Sequence, residues 1–136
     1  MAKFESSIKQ VPYPQTAVYG MVSNLENIEK VRSRIPEDKM KDMTFTADEV
    51  TVTSPVGEVT LRIIEREEPK CVKFETAKSP VPMNMWIQLL PTGDDSCKMR
   101  VTIKADIPIF LKGMVSGPLN EAVEKIADAL AMIPYE

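Results

Sequence analysis

The order of secondary-structure signals along the chain constrains its fold more than any other feature. From Lys41 to Ile107, apolar residues recur at every second position between turn signals, and from about Phe110 to Met132 they recur at helical spacing. Strict alternation predicts strands with one apolar face and one wet face, and the final helix is long enough to cover such a face. We therefore predict an α+β protein whose curved antiparallel sheet packs on a long C-terminal helix.

The N-terminal region is predicted to contribute one strand and two helices. The strand covers Phe4–Val11, and a short helix, Gln15–Val22, follows the next prolines. Ser23 and Glu26 have the spacing of a capping box, so a second helix is predicted to begin behind them and to run to Arg34. The first strand alternates with Phe4, Ser6 and Ile8 on one face and Glu5, Ser7 and Lys9 on the other.

Prolines and turn residues divide the rest of the chain into strands and the final helix. Turns are predicted at 54–57, where the strands on either side form a hairpin, and at 91–95. Trp86 falls on the wet side of its strand and is expected to be partly exposed. The last helix contains Pro118, and we predict that it begins before this residue, near Phe110, with a kink.

Size and composition indicate one soluble domain over residues 1–136. The 136 residues are 43% hydrophobic and 27% charged, with a net charge of −3 and acidic and basic residues interspersed, which argues against a nucleic-acid partner. The first residues do not have the apolar core of a signal peptide, and no segment is long enough to span a bilayer, so we expect a cytoplasmic protein. Cys71 and Cys97 are expected as unpaired thiols on strands that another strand separates.

The inventory of chemically active groups is short. The chain contains no histidine and no glycine-rich phosphate loop, which argues against a His-containing triad and against nucleotide chemistry. We expect no metal and no cofactor. Glu65 and Asp106 lie at predicted strand ends, where a carboxylate could serve as a general base, although such residues are more often loop caps. No catalytic residue is assigned.

Several segments together resemble the SRPBCC superfamily, which includes START lipid-transfer domains, birch-pollen-allergen-like proteins and polyketide cyclases. The resemblance is a pattern of spacing that covers nearly the whole chain, and it is carried by Val11–Tyr19, Ser23–Ile28, Gly57–Leu61, Glu65–Pro69 and Ile87–Pro91. It implies a helix-grip fold of order β-α-α-β6-α with a cavity between the sheet and the C-terminal helix. Function varies widely among proteins of this fold.

Nine methionines favour an adaptable cavity, because methionine is flexible and polarizable. A closed core filled by the same side chains is an equally good interpretation. The predicted function is binding of a hydrophobic small molecule, lipid or polyketide-like, by a carrier or sensor. The alternatives are a cyclase or dehydratase that moves a proton through a carboxylate or Tyr19, and a protein-interaction module that uses the solvent-facing side of the sheet or the edge around Trp86. The predicted cavity wall consists of Leu61, Ile63, Phe74, Met85, Ile87, Met99, Val101 and Met114.

Overall fold

The computed structural model describes residues 2–34, 37, 43–54, 57–78 and 82–135. Within these ranges, one antiparallel sheet contains the strands β1 (Ala2–Glu5), β2 (Lys9–Val11), β3 (Met43–Phe45), β4 (Glu49–Ser54), β5 (Gly57–Glu67), β6 (Cys71–Lys78), β7 (Met83–Gly93) and β8 (Ser96–Ala105). The helices are α1 (Gln15–Val22), α2 (Glu26–Lys30) and α3 (Lys112–Ala131), and short 3₁₀ turns lie at Arg32–Arg34 and Ile109–Leu111. The predicted α+β architecture is confirmed.

The sheet is a meander whose edge is completed by the N-terminal strands. Strands β3 to β8 lie side by side in chain order, and both β1 and β2 pair with β8. Pairing of Val52 with Val59 confirms the predicted β4–β5 hairpin. Pro55 and Val56 at its turn lie outside the described residues. The second helix, which was predicted to run to Arg34, ends at Lys30 and is followed by the 3₁₀ turn Arg32–Arg34.

The N-terminal strand is not continuous, and here the prediction is wrong. Glu5 pairs with Thr102, whereas Lys9 pairs with Met99. Three residues, 6–8, therefore face only two residues of β8. This extra residue is a β-bulge, which interrupts the ladder and bends the strand.

The bulge also inverts the alternation of side chains after it. The Ser6 hydroxyl accepts a hydrogen bond from the Val101 N–H at 3.0 Å, and the Ser6 N–H donates to the Val101 carbonyl at 2.8 Å, so both backbone groups of Val101 have a partner at the bulge. Ile8, predicted to share a face with Phe4, is instead 50% exposed on the outer face of the sheet. Lys9 points to the opposite side, where α3 lies.

The start of α2 also differs from the prediction. Helix α1 has the predicted bounds, but no Ser23 side chain caps the second helix. Instead, the Asn24 Oδ1 accepts a hydrogen bond from the Glu26 N–H at 3.3 Å. An asparagine side chain readily bonds the backbone two residues on, so it takes the role predicted for the serine.

Helix α3 begins at Lys112, and the predicted start before Pro118 is confirmed. Proline lacks an N–H, so the Met114 carbonyl has no partner four residues on. The buried positions of the helix are Val115, Leu119, Val123, Ile126, Ala127, Ala129 and Leu130. No helix of the described ranges is both long and apolar enough to cross a bilayer.

A cluster of charged side chains connects the bulge to α3. Lys9 Nζ lies 2.6 Å from Asp128 Oδ1 and 3.2 Å from Glu124 Oε2. The Ser7 N–H donates to Glu124 Oε1, and the Ser7 hydroxyl lies 3.2 Å from Glu124 Oε2. The hydrogen bond from the Ser7 backbone is the main reason that the pKa of Glu124 is lowered, and the contact with Asp128 is the main reason that the pKa of Lys9 is raised.

These shifts predict a loss of stability in acid. Because the pKa of Glu124 lies below the usual 4.5 in the folded protein, its contribution to stability is present above that value and is lost as the pH falls through the folded pKa. Glu124→Gln lacks this carboxylate, so we expect its free energy of unfolding to fall less than that of the wild type as the pH decreases from about 5 to about 3. Urea denaturation across this pH range measures the free energy of unfolding of both proteins. Glu121→Gln, on the exposed side of the same helix, is the control and should follow the wild type. Identical pH profiles for Glu124→Gln and the wild type would contradict the assignment.

Candidate ligand-binding site

The inner face of the sheet and the buried side of α3 enclose the core of the protein. Strands β7 and β8 alternate buried and more exposed residues along most of their length, so their buried apolar side chains point toward the helix. Thr102 is also buried, but it lies on the other face, where its hydroxyl donates to Gln88 Oε1. The buried apolar residues of sheet and helices form one continuous cluster. The space between sheet and helix is therefore the place where a cavity of this fold would lie.

Two small voids remain in this space. One has a volume of about 10 Å³ and is lined by Leu25, Met43, Phe45, Val50, Phe74, Met85, Ile87, Ile126, Ala129, Leu130 and Ile133. The other has a volume of about 20 Å³ and is lined by Val52, Val59, Leu61, Met83, Ile103, Pro118, Leu119, Ala122 and Ile126. Ile126 is the one residue that borders both of these voids. Every lining residue is apolar.

The predicted cavity wall corresponds only in part to the lining of these voids. Seven of its residues are buried: Leu61, Ile63, Phe74, Met85, Ile87, Met99 and Val101. Of these, Leu61, Phe74, Met85 and Ile87 border a void. Met114 differs from the prediction, because it is 69% exposed on the outer side of α3. It lies one position before the buried Val115, and a helix turns about 100° per residue, so neighbouring side chains face different ways.

The sequence interpretation missed Ile126 and Ala122 as wall residues. Both belong to the apolar stripe of α3, and their helical spacing was the available signal. Ala122 has a small side chain and leaves space opposite the sheet, whereas Ile126 fills the space one turn further on. Three methionines, Met43, Met83 and Met85, border the voids from the sheet side.

None of the predicted acid or base candidates lines the voids. Glu65 and Asp106 are exposed to solvent. Tyr19 is buried, and desolvation followed by the nearby Glu68 charge raises the pKa of its phenol, so the group remains protonated at neutral pH. Burial likewise raises the pKa of the Cys71 thiol, which keeps it in its unreactive form.

The segment that leads into α3 exposes large apolar side chains. Ile109 is 91% exposed and Phe110 is 81% exposed, and Met114 follows one turn later. The void beside Pro118 and Leu119 lies under the same half of the helix. Contiguous exposed apolar groups commonly mark a place where a protein interacts with another molecule.

Trp86 is partly exposed on the outer face, as predicted. Lys73 Nζ lies 5.4 Å from the centre of its ring, and Lys104 Nζ lies 5.6 Å from it. Two ammonium groups over one indole are cation–π contacts, which hold the ring against the sheet. Cys71 and Cys97 are unpaired, and β7 separates their strands as expected.

The fold is shared with several solved structures. Truncated norcoclaurine synthase from Thalictrum flavum superimposes with a TM-score of 0.69 at 14% identity, over 96% of this chain and 91% of that chain. A protein from Thermus thermophilus gives 0.66 at 17% identity, over 96% and 94% of the two chains. A START superfamily protein from Mycobacterium smegmatis gives 0.65 at 14% identity, over 95% and 94%.

These identities are low, so the likeness shows the fold alone. No protein-family model matches the chain, and no curated protein sequence matches it. The chain has the helix-grip fold of START-like and birch-pollen-allergen-like proteins, and the predicted resemblance to the SRPBCC superfamily is confirmed at the level of the fold.

Proposed function

We propose that the protein binds a small hydrophobic molecule between its sheet and α3, as a carrier or sensor. The observation that carries this proposal is the pair of wholly apolar voids on either side of Ile126. A space without polar groups favours ligands that need no hydrogen bonds, because an unpaired polar group would be desolvated at a cost. The proposed ligand is therefore a hydrocarbon-rich molecule, such as a lipid chain or a polyketide-like compound.

Binding requires the two voids to expand into one cavity. Volumes of about 10 and 20 Å³ are far below the roughly 300–1,000 Å³ of typical small-molecule sites. The wall contains Met43, Met83 and Met85, whose unbranched side chains adapt to irregular shapes. Rotation of Ile126 would connect the voids. In this proposal the ligand takes space that flexible side chains fill in its absence.

The first half of α3 is the proposed entrance. It combines Pro118, which leaves the Met114 carbonyl without a partner four residues on, with Gly113 and Gly117, which weaken the helix. The exposed Ile109 and Phe110 lie just before it and would offer an apolar surface to an approaching ligand.

Binding is favoured over catalysis because the lining carries no acid, base or hydroxyl group among the described residues. The second candidate is a cyclase or dehydratase type of enzyme that uses the same cavity. One neighbour in fold, norcoclaurine synthase, is named as a synthase and has been solved with dopamine and hydroxybenzaldehyde. That complex is an example of a protein of this fold that holds small organic molecules. The voids of the present protein, however, are lined by no group that would move a proton.

The test measures binding of the neutral fluorescent probe N-phenyl-1-naphthylamine, together with native mass spectrometry of the gently purified protein for a bound molecule. We expect probe binding to the wild type and a dissociation constant about tenfold or more higher for Ala122→Leu, because overpacking costs about 1–3 kcal/mol. Ala77→Leu adds the same atoms at an exposed position and is the control. Equal affinities for the wild type and Ala122→Leu would contradict an interior site.

A further inference from the structure

A concavity lies on the outer face of the sheet, away from α3. It is a groove with a volume of about 350 Å³, lined by Ile8, Gln88, Leu89, Leu90, Lys98, Met99 and Arg100. This volume falls within the range of about 300–1,000 Å³ that is typical of small-molecule sites. The groove is far larger than either interior void, and neither of the proposed functions uses it.

The bulge in the N-terminal strand creates one wall of this groove. Lys9 pairs with Met99, and the inverted alternation brings Ile8 to the outer face beside Arg100. Leu90 pairs with Lys98 and forms the opposite wall. Bulges are often found where a protein re-aims a side chain at a functional site.

The groove combines exposed apolar walls with positive charge. Ile8 is 50% exposed and Leu90 is 62% exposed, so both present hydrocarbon to solvent. Lys98 has no carboxylate within ion-pair distance among the residues that the structure describes. Arg100 Nη1 lies 3.0 Å from Glu5 Oε2, and a guanidinium has five N–H donors, so others remain for a second anion.

We propose that this groove binds a small organic carboxylate with an apolar body. The carboxylate lies between Lys98 and Arg100, where charge-assisted hydrogen bonds are strongest, and the apolar body covers Ile8 and Leu90. Met99 forms part of the floor. The site is independent of the space under α3 and does not rest on the function proposed above.

The experiment titrates the full chain with octanoate and follows the backbone amide resonances by heteronuclear NMR. We expect the largest shifts at residues 8, 88–90 and 98–100. Octanol, which has the same chain without the charge, should bind at least about tenfold more weakly, since hydrogen bonds to charged groups contribute about 1.5–3 kcal/mol. Added salt should weaken octanoate binding.

A matched pair of variants separates a built site from general surface charge. Lys98→Glu and Lys104→Glu make the same charge change on the outer face of β8, but only Lys98 borders the groove. We expect the dissociation constant for octanoate to rise about tenfold for Lys98→Glu and less than about twofold for Lys104→Glu. Equal weakening by both variants would overturn the proposal, and so would shifts confined to residues around α3. Shifts of the groove residues on dilution without octanoate would mark a contact between two copies and would also overturn it.

Discussion

Replacing Ile126 by alanine should lower the free energy of unfolding by about 2–5 kcal/mol, the range measured when buried isoleucines are truncated. Ile126 is 6% exposed and borders both interior voids. Its truncation removes buried methyl and methylene groups and joins the voids into one larger cavity. Urea denaturation followed by circular dichroism measures the loss.

The same variant should gain affinity for an apolar ligand. A dry apolar cavity binds small apolar molecules, and a ligand that binds only the folded state stabilises it by about 2.7 kcal/mol at roughly one hundred times its dissociation constant. We expect N-phenyl-1-naphthylamine to bind Ile126→Ala more tightly than the wild type and to restore part of its stability.

Ile28→Ala is the matched control for this experiment. Ile28 is fully buried in α2 and borders neither void, so its truncation should cost a similar free energy without a gain in probe affinity. If Ile126→Ala bound the probe no better than the wild type, the voids would be packing defects and not the beginnings of a ligand cavity.

Replacing Tyr135 by alanine should lower the free energy of unfolding by about 3–5 kcal/mol, as for other large buried aromatic residues. The side chain is 2% exposed, and its hydroxyl donates to the Leu130 carbonyl at 2.6 Å. Its ring meets Tyr13 edge to face at a centroid distance of 5.9 Å. Burial strongly raises the pKa of this phenol, so it remains neutral over the range in which the protein is studied.

The large effect is expected because Tyr135 anchors the segment after α3. Together with Ile133, it closes the end of the core next to Leu130. Tyr135→Phe keeps the ring and loses only the hydroxyl, so it should cost about 1 kcal/mol, the usual net value of one hydrogen bond. Chemical denaturation of both variants checks the difference. A cost below about 1 kcal/mol for Tyr135→Ala would contradict the view that the C-terminal segment is part of the core.

Alternating apolar residues predicted most of the sheet. The inward set of β7 and β8, from Met83 to Leu89 and from Cys97 to Ala105, is buried as the pattern required, because a strand has a side-chain period of two. The bounds of α1 and the early start of α3 also followed from proline positions and helical spacing. These features depend on local sequence, and local sequence is sufficient to predict them.

The features that were missed depend on pairing and packing. A bulge adds one residue without a characteristic composition, so the exposure of Ile8 and the inward turn of Lys9 could not be read from alternation. The groove beside Ile8 was missed for the same reason. Met114 was assigned to the cavity wall from residue type, whereas the rotation of α3 places it in solvent. Void volumes depend on how side chains interlock, which no sequence pattern specifies.

The most direct test of the central claim locates a neutral apolar ligand within the folded protein. Naphthalene is added to protein labelled at isoleucine and methionine methyl groups, and nuclear Overhauser effects are measured between ligand and methyl protons. We expect contacts with Ile126 and Met85, on facing sides of the space between sheet and helix. Contacts only with exposed methyl groups such as Ile109, Met114 or Ile8, or no contacts at all, would contradict an interior binding site.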